Sequence, residues 1–123
     1  MPKHIVVVED TADLRTTIVE LLRMERYLVS YASHGKEALV LLREIKPDLI
    51  ITDLLMPEMN GFDFIARVRE NFLWQSIPIL VFSAMPPHEN EKKVLQMGAN
   101  SYLKKPSTLE GLLDAVKKLI KND

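Results

Sequence analysis

Four consecutive β-branched residues, Ile5 to Val8, run straight into two acids, Glu9 and Asp10. A run that is apolar at every position, rather than at alternate ones, suits a strand covered on both faces. Sheets of that kind are parallel, and their crossovers need a dozen or more residues, usually a helix. The next segment meets the demand, because Leu14, Ile18, Leu21 and Leu22 recur at amphipathic spacing.

The same unit returns along the chain. Residues 28–32 read as a second strand, and a helix after Gly35 carries Ala38, Leu39, Leu42 and Ile45 inward until Pro47 closes it. Residues 48–53 form a third buried strand, followed over 56–61 by a loop with Pro57 and Asn60-Gly61 as turn residues. Phe62, Ile65, Val68 and Phe72 mark a third helix, and residues 77–82 a fourth strand. A helix over 87–97 ends at Gly98, suited to a left-handed cap, and residues 101–104 make a short fifth strand. Leu109, Leu112, Leu113, Val116 and Ile120 stripe the last helix, with Lys117, Lys118 and Lys121 toward its C-terminal dipole. Five strands alternating with five helices predict an open doubly wound α/β fold with right-handed crossovers. Its ligands bind beyond the carboxyl ends of the strands, where the strand order reverses.

Composition narrows the function. A chain of 123 residues with 47% hydrophobic content is expected to make one domain over 1–123, with no linker and no output domain. Sixteen Lys+Arg against seventeen Asp+Glu leave no basic excess for direct nucleic-acid binding. The absence of cysteine removes disulfides, thiolate zinc sites and a cysteine nucleophile. No apolar run approaches the roughly 18 residues of a membrane span, and no signal peptide precedes the first strand, so a soluble cytoplasmic domain is expected.

At the strand ends stand Glu9 and Asp10, Asp53, Ser83 and Lys105. Singly each reads as well as a helix cap, a turn hydroxyl or a surface lysine. Together they converge, because the first, third, fourth and fifth strands open onto one crevice in this topology. Three carboxylates held close repel one another unless a cation compensates, and one lysine is too little. An all-oxygen set suits Mg²⁺ far better than zinc. Lysine, carboxylate and Mg²⁺ are also the means of holding phosphoryl oxygens, so the chemistry implied is phosphoryl transfer onto a carboxylate.

With these residues the chain resembles a response-regulator receiver domain, the chemotaxis-regulator-like phosphoacceptor module of two-component systems. Glu9-Asp10 resembles the family's acidic pair, and Asp53 within Ile51-Thr52-Asp53-Leu54-Leu55-Met56-Pro57 its phosphoacceptor. Ser83-Ala84 resembles the switch hydroxyl with its small neighbour, and Tyr102-Leu103-Lys104-Lys105-Pro106 the switch aromatic, phosphate-contacting lysine and following proline. The resemblance implies a flavodoxin-like sheet of order 2-1-3-4-5 and a Lys105-Pro106 bond that is cis. It implies Mg²⁺ bound by Asp10, by Glu9 mainly through water, by Asp53 and by the Leu55 carbonyl, with Ser83, Ala84 and Lys105 on the phosphoryl group. It implies a histidine kinase or phosphotransfer protein as donor, no turnover of an independent metabolite, and Tyr102 rotating inward on phosphorylation. The readout would be the face of the fourth helix, fifth strand and fifth helix, docking a protein target or a second copy.

Other readings fit less well. A haloacid-dehalogenase-like phosphatase needs a second Asp two residues beyond the nucleophile, where Leu55 stands. A flavodoxin needs a phosphate loop where Glu9 and Asp10 would repel it. A phosphorylation-independent pseudo-receiver would have lost one of the acids, the serine or the lysine. His4, His34 and His88 lack ligand spacing, the Met residues read as packing, residues 89–93 as a solvated face, and Trp74 as partly exposed. Ser107 and Gly111 are expected to weaken the start of the last helix, Gly111 by about 1 kcal/mol relative to Ala.

Overall fold

In the computed structural model, which describes residues 2–120, strands and helices alternate without exception: β1 (His4–Val8), α1 (Ala12–Met24), β2 (Leu28–Ala32), α2 (Gly35–Glu44), β3 (Leu49–Thr52), α3 (Gly61–Glu70), β4 (Ile79–Ser83), α4 (Pro87–Met97), β5 (Ser101–Lys104) and α5 (Leu109–Leu119). Lys121 lies outside the described residues. All pairings are parallel, in the order β2-β1-β3-β4-β5. The chain therefore steps outward from β1 to β2 and then crosses back to β3, which puts the reversal between β1 and β3. In register, Val8 lies beside Thr52, Thr52 beside Val81, and Ser83 beside Lys104.

The continuous apolar runs are explained by two cores. Val6, Val8, Ile50, Ile79 and Val81 face one cluster with Ala38, Leu42, Phe64 and Val68 of α2 and α3. Ile5, Val7, Ile51, Leu80 and Phe82 alternate with them and face a second cluster with Ile18, Leu22, Leu112 and Val116 of α1 and α5. Both faces of each central strand are thus removed from water.

Several boundaries differ from expectation. β3 is shorter than residues 48–53, although Asp48 and Asp53 still donate backbone N–H bonds to His4 and Val8. β4 begins at Ile79 and not at Ile77. α2 stops at Glu44, where Ile45 turns extended ahead of Pro47. α3 ends at Glu70 because the Asn71 side chain accepts the Leu73 N–H at 2.9 Å, so Phe72 falls in the turn and is 80% exposed. The fully buried stripe of α3 is Gly61, Phe64, Ile65 and Val68, while Phe62 packs partly buried at the edge of the same cluster with the Lys93 ammonium over its ring at 4.3 Å. Leu109, at the first position of α5, is half exposed. Within residues 89–93, Asn90 is buried and donates to the Pro86 carbonyl.

Gly111 takes part in the cap of its helix. Its N–H donates to the Thr108 capping hydroxyl at 2.9 Å, and a Cβ there would lie 2.8 Å from Ser107 Oγ and 3.1 Å from Thr108 Oγ1. An alanine would crowd the cap that starts the helix.

Arg69 fastens the amino-terminal end of β4. Its guanidinium donates to the carbonyls of Gly98, Trp74 and Ile77 and to Asn100 Oδ1, at 2.8 to 3.2 Å. Burial pushes its pKa below the ordinary arginine value, yet no carboxylate pairs with it among the described residues. Arg69→Met keeps the apolar stem and takes the guanidinium donor from the Gly98 and Ile77 carbonyls, while Asn100 Oδ1 and the Trp74 carbonyl keep the N–H groups of Ile79 and Ile77. It is expected to cost roughly 2–4 kcal/mol, read as a lower urea midpoint at unchanged slope.

Candidate functional site

Where β1 ends, Glu9 turns inward and is 2% exposed. Its N–H donates to the Ala32 carbonyl, its carbonyl accepts from Arg15, and its Oε2 accepts the Thr11 N–H at 3.1 Å. Asp10, next along, is exposed. Asp53 follows β3 at once and is 7% exposed, with Oδ1 accepting the N–H groups of Leu54 at 2.6 Å and Leu55 at 3.3 Å. Glu9, Asp10 and Asp53 each offer a carboxylate oxygen within 4.8 Å of the others.

Lys105 enters from the far edge of the sheet. Its N–H donates to the Ser83 carbonyl, its bond to Pro106 is cis, and its stem passes the Phe82 ring. The ammonium donates to Glu9 Oε1 and Asp53 Oδ2, both at 2.7 Å. Burial alone lowers the Lys105 pKa, but the hydrogen bonds to Asp53 and Glu9 and the attraction of both carboxylates outweigh it, and the net shift is upward. Lys104 is exposed and donates to the Lys105 carbonyl.

Ser83, fully buried, accepts the Met85 N–H on Oγ at 3.2 Å, while Ala84 beside it is exposed. Tyr102 packs partly buried against the first core cluster, and its hydroxyl donates to the Met85 carbonyl at 2.6 Å. Burial raises the phenol pKa; the Ser83 hydroxyl pulls it down, and the charges of Asp53 and Glu91 push it up. The aromatic side chain expected to move inward is thus tied to the β4–α4 loop in this structure. Met56, Met59, Met85 and Met97 pack against the same cluster, as does Trp74.

Two contributors were not singled out in the sequence. Arg15 holds the Glu9 carbonyl at 2.8 Å. Gly61, read there only as a turn residue, donates its N–H to the Leu54 carbonyl, and a Cβ on it would lie 2.6 Å from Leu54 Cα. Only glycine lets α3 start against the loop carrying Asp53.

The charge balance is unfinished. Three carboxylates face one ammonium, the donors are all oxygen, and the Leu55 carbonyl accepts no hydrogen bond from the described residues. That set fits a hard divalent cation such as Mg²⁺, which the oxygens of Glu9, Asp10 and Asp53 could hold.

Residues 5–117 match the family model of the response regulator receiver domain. The chain is 39% identical over 117 residues to the sensor histidine kinase TmoS of Ectopseudomonas mendocina, covering 95% of this chain but only 12% of that kinase. Its fold matches the chemotaxis protein CheY4 of Vibrio cholerae with a TM-score of 0.92 at 29% identity, over 97% of this chain and 99% of that one. It also matches the receiver domain of a Pseudomonas aeruginosa sensor histidine kinase, which has a magnesium ion coordinated in its active-site cleft, with a TM-score of 0.88 at 26% identity over 98% of each chain.

The raised Lys105 pKa fixes a pH dependence. A cation whose pKa is higher folded than unfolded contributes its full stability below the unfolded value and loses it as pH rises through the folded one. Stability of the protein is expected to fall through the alkaline lysine range more steeply than that of Lys105→Met. Chemical unfolding of both at stepped pH checks this.

Proposed function

The chain belongs to the response regulator receiver domain family, a receiver of two-component signalling whose acidic pocket fits a phosphoacceptor, and we propose that Asp53 is the residue phosphorylated. The carrying observation is its carboxylate: one oxygen fixed by two backbone N–H groups, the other by Lys105, at the mouth of an acidic cluster. In this reading an Asp53 oxygen attacks the phosphorus of a histidine kinase's phosphohistidine, or of a small phosphodonor. The new O–P bond forms as the P–N bond breaks and the imidazole leaves, or, with acetyl phosphate as donor, as its P–O bond breaks and acetate leaves. Mg²⁺, when bound by Asp10, Asp53, the Leu55 carbonyl and, through water, Glu9, supplies positive charge against the transferring phosphoryl oxygens.

The remaining work falls to the chain itself. Lys105 already lies on the Asp53 oxygen and needs only a short swing to meet a phosphoryl oxygen while keeping Glu9. Ser83 offers its hydroxyl proton and Ala84 its backbone N–H. Drawing Ser83 toward the phosphoryl group disturbs its bond to the Met85 N–H, the residue whose carbonyl holds Tyr102. Tyr102 is therefore the proposed switch, read on the face of α4, β5 and α5 by a protein target or a second copy. The protein would catalyse only its own phosphorylation and dephosphorylation, and would do so in the cytoplasm.

Two outcomes are expected. Incubation with acetyl phosphate and Mg²⁺ adds one phosphoryl group by intact mass, and Asp53→Asn or EDTA abolishes the gain; an unchanged gain in either removes Asp53 from this role. The phosphoryl group is also expected to be long-lived. Leu55 and Met85, two residues beyond Asp53 and Ser83, are apolar and cannot orient an attacking water. Replacing Leu55 with Asn and Met85 with Glu should speed decay of the phosphorylated form, and decay that is equal or slower refutes the assignment.

A further inference from the structure

We propose that the hollow between the last turns of α2 and α3, at the pole of the sheet opposite Asp53, docks an acidic segment of a partner protein through its apolar side chains and carboxylates together. The hollow has a volume of about 520 Å³. Leu39, Leu42 and Trp74 form its apolar lining, Arg43 and Arg67 stand on its two helices, and Glu70 is its one acid.

What distinguishes it is its unused donors. Arg69, two residues beyond Arg67, spends its guanidinium on four acceptors. Arg43 and Arg67 form no ion pair with the described residues. The negative ends of the α2 and α3 dipoles favour cations there, but a dipole leaves the guanidinium N–H groups unpaired. The Trp74 indole N–H likewise has no acceptor among the described residues; only its backbone groups are engaged. The apolar side continues outward over Leu73 and Phe72, 59% and 80% exposed.

Charge and shape together select the occupant. Two guanidinium groups against one carboxylate favour an anion, and arginine pairs with carboxylates in a two-pronged geometry. A bare anion would leave Leu39, Leu73 and the tryptophan wet. A peptide that alternates acidic and apolar side chains satisfies both, with Trp74 and the two arginines as the residue types that most often anchor interfaces.

Trp74 is the only tryptophan in the chain, so its emission reports on this hollow directly. The probe is a short synthetic helical peptide with a leucine stripe and glutamates on the other face, titrated into the full chain. Its twin carries lysine for every glutamate. The glutamate peptide is expected to shift Trp74 emission saturably and the lysine peptide to leave it unchanged. Arg43→Glu with Arg67→Glu should weaken the response about tenfold or more, while the urea midpoint falls only by the small amount that two acids at helix C-termini cost, because both side chains are exposed. The proposal is overturned by no emission change, by an equal response to the lysine peptide, or by indifference to the charge reversals. It is overturned as well if emission tracks protein concentration without peptide, which makes the occupant a second copy, or if only anionic lipid vesicles shift it.

Discussion

One ammonium group holds the site together from three strands. Lys105 arrives from beyond β5 and meets Glu9 from beyond β1 and Asp53 from beyond β3, with both contacts at 2.7 Å. Each carboxylate is nearly sealed from water, and an unpaired buried charge costs several kcal/mol on the order of what breaking such a pair removes. The pairing is possible only in the strand order observed. β1 and β3 are neighbours, β4 spaces β5 from them, and the lysine side chain is long enough to cross the end of β4 past Phe82. A shift of register in any of these strands by one residue would turn an acid into the core or a core residue into the crevice.

The same geometry accounts for the local backbone. Asp53 cannot rely on Lys105 alone, since its second oxygen would then be buried without a donor. The chain answers by turning at once after β3, so that the N–H groups of Leu54 and Leu55 point back at Oδ1. That turn leaves little room beneath it, and α3 begins against it with a residue that has no side chain, Gly61. Glu9 is served in the same way by the Thr11 N–H, while its own carbonyl is held by Arg15. Each buried acid is thus held by backbone on one side and by the lysine on the other.

Much of this was legible because strands buried on both faces write themselves as unbroken apolar runs, and because polar residues at their ends break the runs sharply. Ile5 to Val8 followed by Glu9, and the run into Asp53, fix both the elements and the site. What was not legible depends on where a helix starts and stops. Counting α3 from Phe62 finds Ile65 and Val68 but runs on to the exposed Phe72 and misses Phe64 and Gly61, and only the fold reveals that glycine as an inward position. Nothing in the sequence singles out Arg69, because its acceptors are carbonyls from distant segments. Gly111 reads as a weak helical residue, since propensity does not see that its N–H is the donor to the Thr108 capping hydroxyl.

The two cores also constrain how an event at Asp53 can reach the surface. The strands beneath it, β1, β3 and β4, are packed on both faces with side chains from which water is excluded, and interiors of that density transmit little graded motion. Beside the site lies α4. It buries only Asn90 and Val94, its first turn has no side-chain cap, and its last turn carries no cation for the helix dipole. Its neighbour β5 is an edge strand whose residues are at most partly buried. Ser83 and Met85 stand at the entrance to α4, and the Tyr102 hydroxyl of β5 is bonded to Met85. Below Asp53 lies a densely packed sheet, and to one side lies the loop that Ser83, Met85 and Tyr102 tie together.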